Sequence, residues 1–201
     1  MPSSAQYECA RQHVRESIAL KEAVLGSPAL IEAIVRVAEE MTRTLRRGGK
    51  VLLFGNGGSA ADAQHLAAEL MGRFERERRA LPAIALTANS SNLTAMANDY
   101  SYEAVFARQI EGLAKPGDIA VGLTTSGKSP NVLCALRAAR KMGVTTVAMT
   151  GKFTEAISGL ADYCLAVPSS RTARVQEAHM LVGHILCELV ENGFSETADM
   201  S

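Results

Sequence analysis

The sequence predicts an α/β fold, a mostly parallel sheet covered on both faces by helices. Two observations carry that expectation. Five runs, Val51–Phe54, Ala83–Leu86, Ile119–Leu123, Thr145–Met149 and Cys164–Val167, are short enough for strands and apolar enough to be buried. Helical patterns at about 59–74, 91–97, 103–113, 129–142, 154–160 and 173–191 separate them, and such alternation builds parallel sheets.

The elements before the first strand are helical. Glu8–Leu25 and Ala29–Leu45 carry apolar residues at helical spacing. Between them Ser27-Pro28 reads as an N-cap followed by a first-turn proline. Arg46, Arg47 and Gly48-Gly49 close the second helix with a basic end and a glycine stop. The last helix is expected to end at Asn192-Gly193. With no internal repeat and only short connections, residues 1–47 and 48–201 read as one domain with an N-terminal helical extension. Its surplus apolar surface faces either its own domain or a subunit interface.

Composition narrows the function. The chain has 201 residues, 47% apolar and 21% charged, with 21 Lys and Arg against 21 Asp and Glu. That balance argues against a disordered tail, a coiled coil or an electrostatically driven nucleic-acid binder. The cysteines at 9, 134, 164 and 187 match neither a C-x-x-C pair nor a zinc ribbon, and read as buried or harmless thiols in a reducing compartment. The N-terminus lacks an apolar export core, and no segment approaches 18 uncharged apolar residues, so a soluble, cytoplasmic protein with no membrane partner is expected.

Two loops read as ligand loops. Gly55-Asn56-Gly57-Gly58-Ser59 follows the first strand and opens a helix; its glycines allow close backbone approach, and Ser59 is placed to cap the helix. It matches no nucleotide fingerprint, and a plain strand-to-helix turn is the alternative. Thr124-Thr125-Ser126-Gly127-Lys128-Ser129 follows the third strand, with Pro130 in the next first turn and Ser129 as the expected N-cap. Neutral hydroxyls at a helix N-terminus suit a phosphate monoester without magnesium; Lys128 adds a charge or faces solvent. Both loops lie on the carboxyl edge, where open parallel folds place ligands.

Titratable groups lie on two helices. His65 and Glu69 are spaced i,i+4 on one face, either a surface pair or a partly buried carboxylate able to act as a base. Arg73 either holds a substrate oxygen or pairs with Glu69 or Glu77. Gln176 and His184 stand about 12 Å apart along the last helix, wide for one small metal, and His184 equally fits a half-buried structural histidine. Asn98-Asp99 offers contacts to sugar hydroxyls or a turn cap.

Taken together, GNGGSAADAQH with LAAEL, ALTANSSNLTAMANDY, TTSGKSPN and RVQEAHMLVGH resemble the bacterial phosphoheptose isomerases of the sugar-isomerase (SIS) domain family, over essentially the whole chain. The resemblance implies a three-layer sandwich with a five-stranded parallel sheet of flavodoxin-like or Rossmann-like topology. It implies a homotetramer with interfacial active sites and a phosphorylated seven-carbon sugar as substrate. Asn56, Gly57, Gly58 and Ser59 are then expected at the substrate, with Thr124, Thr125, Ser126 and Ser129 around its phosphate. Arg73, Asn98, Asp99 and Gln176 contact it as well. Glu69 matches the catalytic base and His184 its acid–base partner. In metal-bound members His65, Glu69, Gln176 and His184 match the ligands of a zinc ion, one per subunit. Two departures stand out: Thr124 replaces a frequent serine, and Ala173 replaces an aspartate found in some members.

The resemblance leaves two rivals. One is a non-enzymatic SIS protein that binds the bacterial replication initiator; it shares the FERERRALPAIAL-like stretch but lacks counterparts of Glu69 and His184. The other is a sugar-phosphate-sensing regulator, for which no DNA-binding extension is present.

Overall fold

The computed structural model describes residues 3–195. The expected ranges 1–47 and 48–201 therefore extend at both ends beyond the described residues.

Helices α1 (Ser4–Leu25) and α2 (Pro28–Arg46) precede strand β1 (Val51–Gly55) and helix α3 (Gly58–Met71). Then come β2 (Ala83–Ala85), α4 (Ser90–Asp99), a 3-10 turn (Tyr102–Ala104) and α5 (Val105–Leu113). The chain continues through β3 (Ile119–Thr124), α6 (Pro130–Lys141), β4 (Thr145–Thr150), β5 (Tyr163–Ala166) and α7 (Thr172–Ser195).

The sheet has the order β2-β1-β3-β4-β5, and every pair is parallel. This is the flavodoxin-like order, whose switch point falls between β1 and β3. Both candidate ligand loops leave the sheet there. Strand residues alternate between two cores, as the two-residue period requires. Val51, Leu53, Val121 and Met149 meet α1, α2, α3 and α7 on one face. Leu52, Phe54, Ala120 and Ala148 meet α5, α6 and the partly buried side chains of α4 on the other.

Four local expectations need correction. Residues 154–160 form turns, not a helix: Ile157 and Ser158 N–H both bond the Thr154 carbonyl, and Gly159 at φ 79° breaks the run. Ser27 and Ser129 occupy N-cap positions but make no side-chain cap bond. Ser59 lies inside α3, whose N-cap is Gly57. Helix α7 runs past Asn192-Gly193 to Ser195, and Gly193 serves close packing instead of a stop: a Cβ there would come within 2.8 Å of Thr42 Cγ2. All four cysteines are free thiols, as expected; Cys187 is buried, Cys134 half-buried, and Cys9 and Cys164 exposed. Among the described residues no helix is long and apolar enough to cross a membrane.

Candidate active site

The site begins with the packing of α3 on α7. Two glycines allow the close approach. A Cβ on Gly58 would lie 2.2 Å from Gln176 Nε2, and one on Gly183 would lie 2.6 Å from Leu66 Cδ2. With those positions bare, the first turn of α3 rests on Gln176, and the next residue after Gly183, His184, reaches α3.

The result is a titratable cluster assembled within one chain. His65 Nε2 and His184 Nε2 are 2.9 Å apart, with ring centroids 5.2 Å apart in an edge-on arrangement. A hydrogen bond at that distance needs a proton on one nitrogen and a lone pair on the other. Glu69 Oε1 lies 3.3 Å from His65 Nε2, and its side chain is 23% exposed. The Phe74 ring packs against His184 at a centroid distance of 5.5 Å. Asp62, one turn before His65, has a half-buried carboxyl with one unpaired oxygen. Burial pushes its pKa up, opposed by the nearby His65.

The first loop is held from both sides. Gly57 adopts φ 55°, a conformation that favours glycine. Asn56 exchanges two hydrogen bonds of 2.8 Å with Asn131, and its Oδ1 also accepts from the Tyr102 hydroxyl at 3.0 Å. Asn131 is buried in the first turn of α6, so this amide pair ties the loop after β1 to the helix after β3. Ser59 is buried behind the loop.

In the second loop the hydroxyls are graded by depth. Thr124 is buried, Thr125 and Ser129 are half-buried, and Ser126 is exposed. Thr124 Oγ1 and Ser129 Oγ share a hydrogen bond of 2.9 Å, and Ser126 Oγ accepts from the Lys128 N–H at 3.2 Å. Gly127 is required twice over, by its φ of 68° and because a Cβ would meet the Phe153 carbonyl at 2.2 Å. Lys128 and Lys152 place their ammonium groups 5.6 and 5.2 Å from the Phe153 ring centroid. Hydroxyls, a helix N-terminus and two nearby cations are suited to an anion.

Three predicted residues stay outside these groups. Arg73 pairs with Glu77 at 3.2 Å, with its side chain 58% exposed. Asn98 and Asp99 are exposed at the end of α4, bonded to each other at 2.9 Å.

Zinc ligands at about 2.0–2.1 Å in a tetrahedron stand about 3.3 Å apart. The separations of His65 from His184 and from Glu69 are close to that edge, and Gln176 lies on the same seam. Among the described residues no trio of His, Cys, Asp and Glu closes around one point. Two imidazoles and a carboxylate are donor types that suit zinc, but they do not form a closed set, and the Gln176 amide sits at Gly58, at the opposite end of α3 from His65 and Glu69.

The family follows from comparison with known proteins. The SIS domain matches residues 13–151. A phosphoheptose isomerase of Roseiflexus sp. (strain RS-1) is 50% identical over 195 residues, 97% of this chain and 98% of the relative. The structure of the phosphoheptose isomerase from Neisseria gonorrhoeae superposes with a TM-score of 0.87 at 41% identity, over 93% of this chain and 99% of that one. The one from Francisella tularensis gives 0.89 at 37% identity, over 93% and 98%. The chain belongs to the SIS domain family and, within it, to the phosphoheptose isomerases.

Sequence reasoning missed Asn131, Tyr102, Asp62 and Phe74. Asp62 and Asn131 sit inside quoted motifs, GNGGSAADAQH and TTSGKSPN, where only their neighbours drew attention.

Proposed function

We propose that the chain interconverts the ketose D-sedoheptulose 7-phosphate and the aldose D-glycero-D-manno-heptose 7-phosphate. The observation that carries this reading is the contact of His184 with the His65–Glu69 pair, beside two loops suited to a sugar phosphate. The identity of its relatives supports it, and weighs against the initiator-binding and regulatory alternatives.

Glu69 removes a proton from C1 and later returns one to C2, through an enediol-like intermediate. His184 gives a proton to the C2 oxygen and takes one from the C1 oxygen, so protons balance across the cycle. Asn56 and the glycine backbone at 57–58 orient the sugar. Thr124, Thr125, Ser126 and Ser129 hold the phosphate, whose remote binding energy positions the reacting carbons.

A zinc ion would be held by His65, Glu69, Gln176 and His184. When bound it supplies Lewis-acid polarisation of the sugar oxygens and no redox chemistry. Glu69 is then shared between coordination and proton transfer, which favours a labile site.

The assembly we propose is a cytoplasmic homotetramer. Helix α1 supports it: Tyr7, Val14, Ile18 and Leu25 are 62%, 59%, 51% and 77% exposed, and a symmetric partner would cover them. Arg73, Asn98 and Asp99, outside the cluster of their own chain, then serve a site completed between subunits. Incubating the purified protein with sedoheptulose 7-phosphate tests the activity. Formation of the aldose is expected, and an unchanged ketose would refute it.

A further inference from the structure

Below the cluster lies a buried ion pair that the reaction does not use. Glu191 on α7 is 1% exposed, and the side chain of Arg78 2%. Arg78 Nε and Glu191 Oε1 are 3.1 Å apart. The same carboxylate accepts three consecutive backbone N–H bonds, from Phe74 at 2.9 Å, Glu75 at 2.7 Å and Arg76 at 2.8 Å. Burial alone would push its pKa up; the three N–H groups and Arg78 outweigh that and hold it below the ordinary value, so the group is a carboxylate in the fold.

Arg78 Nε meets the carboxylate by charge and not by an aligned hydrogen bond, and the terminal nitrogens bond on the other side. They donate to the carbonyls of Glu69 at 2.8 Å, Leu70 at 3.0 Å and Gly72 at 3.0 Å. These are carbonyls at the end of α3, which the helix itself leaves without partners. Cys187 lies beside the pair; burial, then the negative charge of Glu69, pushes its thiol up to about 12, so it stays a neutral packing group.

Both branches end on the reacting groups. Through Arg78 the carboxylate reaches the backbone of Glu69. Through the Phe74 N–H it fixes a residue whose ring lies against His184. His184 and Glu191 are seven residues apart, two turns on one face of α7. We propose that Glu191 and Arg78 are positioning residues, a buried clamp that holds Phe74 against His184 and fixes the end of α3 that carries Glu69. The inference rests on the assignment of Glu69 and His184 as the acid–base pair.

The test is Glu191→Gln in the full-length protein, read by steady-state kinetics and by the His184 imidazole resonances in NMR. The amide keeps the shape but not the charge. The expected result is a kcat about 10–100-fold lower with KM within about twofold, since the phosphate loop is untouched. The His184 resonances should shift, which a change confined to stability would not cause. A wild-type kcat, or unmoved His184 resonances in the folded variant, would overturn the clamp. Should Glu191→Gln fail to fold, Phe74→Leu reads the branch to His184: lower kcat at constant KM supports it, and unchanged kcat overturns it. Glu69→Gln separates the two readings. A dead Glu69→Gln beside a wild-type Glu191→Gln refutes the clamp alone, and an active Glu69→Gln refutes the acid–base pair while the NMR result still reports on the clamp.

Discussion

The loop after β3 and the seam between α3 and α7 are built in opposite ways. The loop gathers its functional groups from six consecutive residues, and its hydroxyls bond one another or the loop backbone. The seam gathers His65, Glu69 and His184 from positions up to 119 apart, then braces them with a second layer at Arg78 and Glu191. Holding a phosphate requires donors that tolerate small displacements. Moving protons from carbon to carbon and from oxygen to oxygen requires groups placed to a fraction of an ångström, and the groups proposed for it are the ones with buried support.

The largest effect separating the regions concerns metal. His65→Ala should lose zinc entirely, by elemental analysis of the purified protein, while Ser126→Ala should keep it. Unchanged zinc in His65→Ala would remove the proposed ligand set.

Next in size is a pH effect beneath the loop. His179 is buried on α7, and neither ring nitrogen finds a hydrogen-bond partner of good geometry. Burial pushes its pKa down to about 4, weakly opposed by the Thr150 backbone. The unfolded chain binds this proton near pH 6.5 and the folded chain only near 4. The contribution is therefore complete above about 6.5 and declines as the pH falls toward 4, by roughly 3 kcal/mol in all. Denaturant midpoints from pH 7 to 4.5 should fall more steeply in the wild type than in His179→Leu. Parallel curves would contradict the assignment.

Gly183→Ala strikes the seam alone. Its Cβ would force Leu66 aside, at a cost of about 1–3 kcal/mol for an overpacked contact. Separating His184 from His65 should lower kcat more than it raises KM. A variant with normal kcat would show that the helix spacing is not set at this residue.

The smallest effect belongs to the loop. Ser129→Ala removes a hydroxyl bonded to Thr124, not a helix cap, so about 0.5–1.5 kcal/mol of stability is at stake. Its main signature should be weaker competition by inorganic phosphate at nearly normal kcat. Equal competition in both proteins would reassign the loop.

The same contrast decides what could be read from the chain. Strands such as Val51–Gly55 and Ile119–Thr124 are buried along their whole length, so their apolar runs were plain. The second loop was legible because its chemistry is contiguous, and His65 with Glu69 because helical spacing alone puts them on one face. Contact between His65 and His184 depends on Gly183 lying against Leu66, a packing detail with no local pattern. Arg78 and Glu191 look like ordinary surface charges in sequence, and only the tertiary fold buries them against each other. The turns at 154–160 were misread because an apolar spacing persisted across Ser158-Gly159, where the backbone cannot continue a helix. Ser129 and Thr124 were legible as neighbouring hydroxyls of one loop, but Thr124 is buried and the bond between the two replaces the expected cap.

In the proposed reaction the chain binds the phosphate at one end of the site and reacts at the other, with Glu69 moving the proton. The most direct measurement is Glu69→Gln, followed for aldose formation from sedoheptulose 7-phosphate and for binding of inorganic phosphate. The expected result is a kcat lower by about 10²–10⁴-fold with phosphate binding and fold unchanged. Near-wild-type turnover in that variant would contradict it.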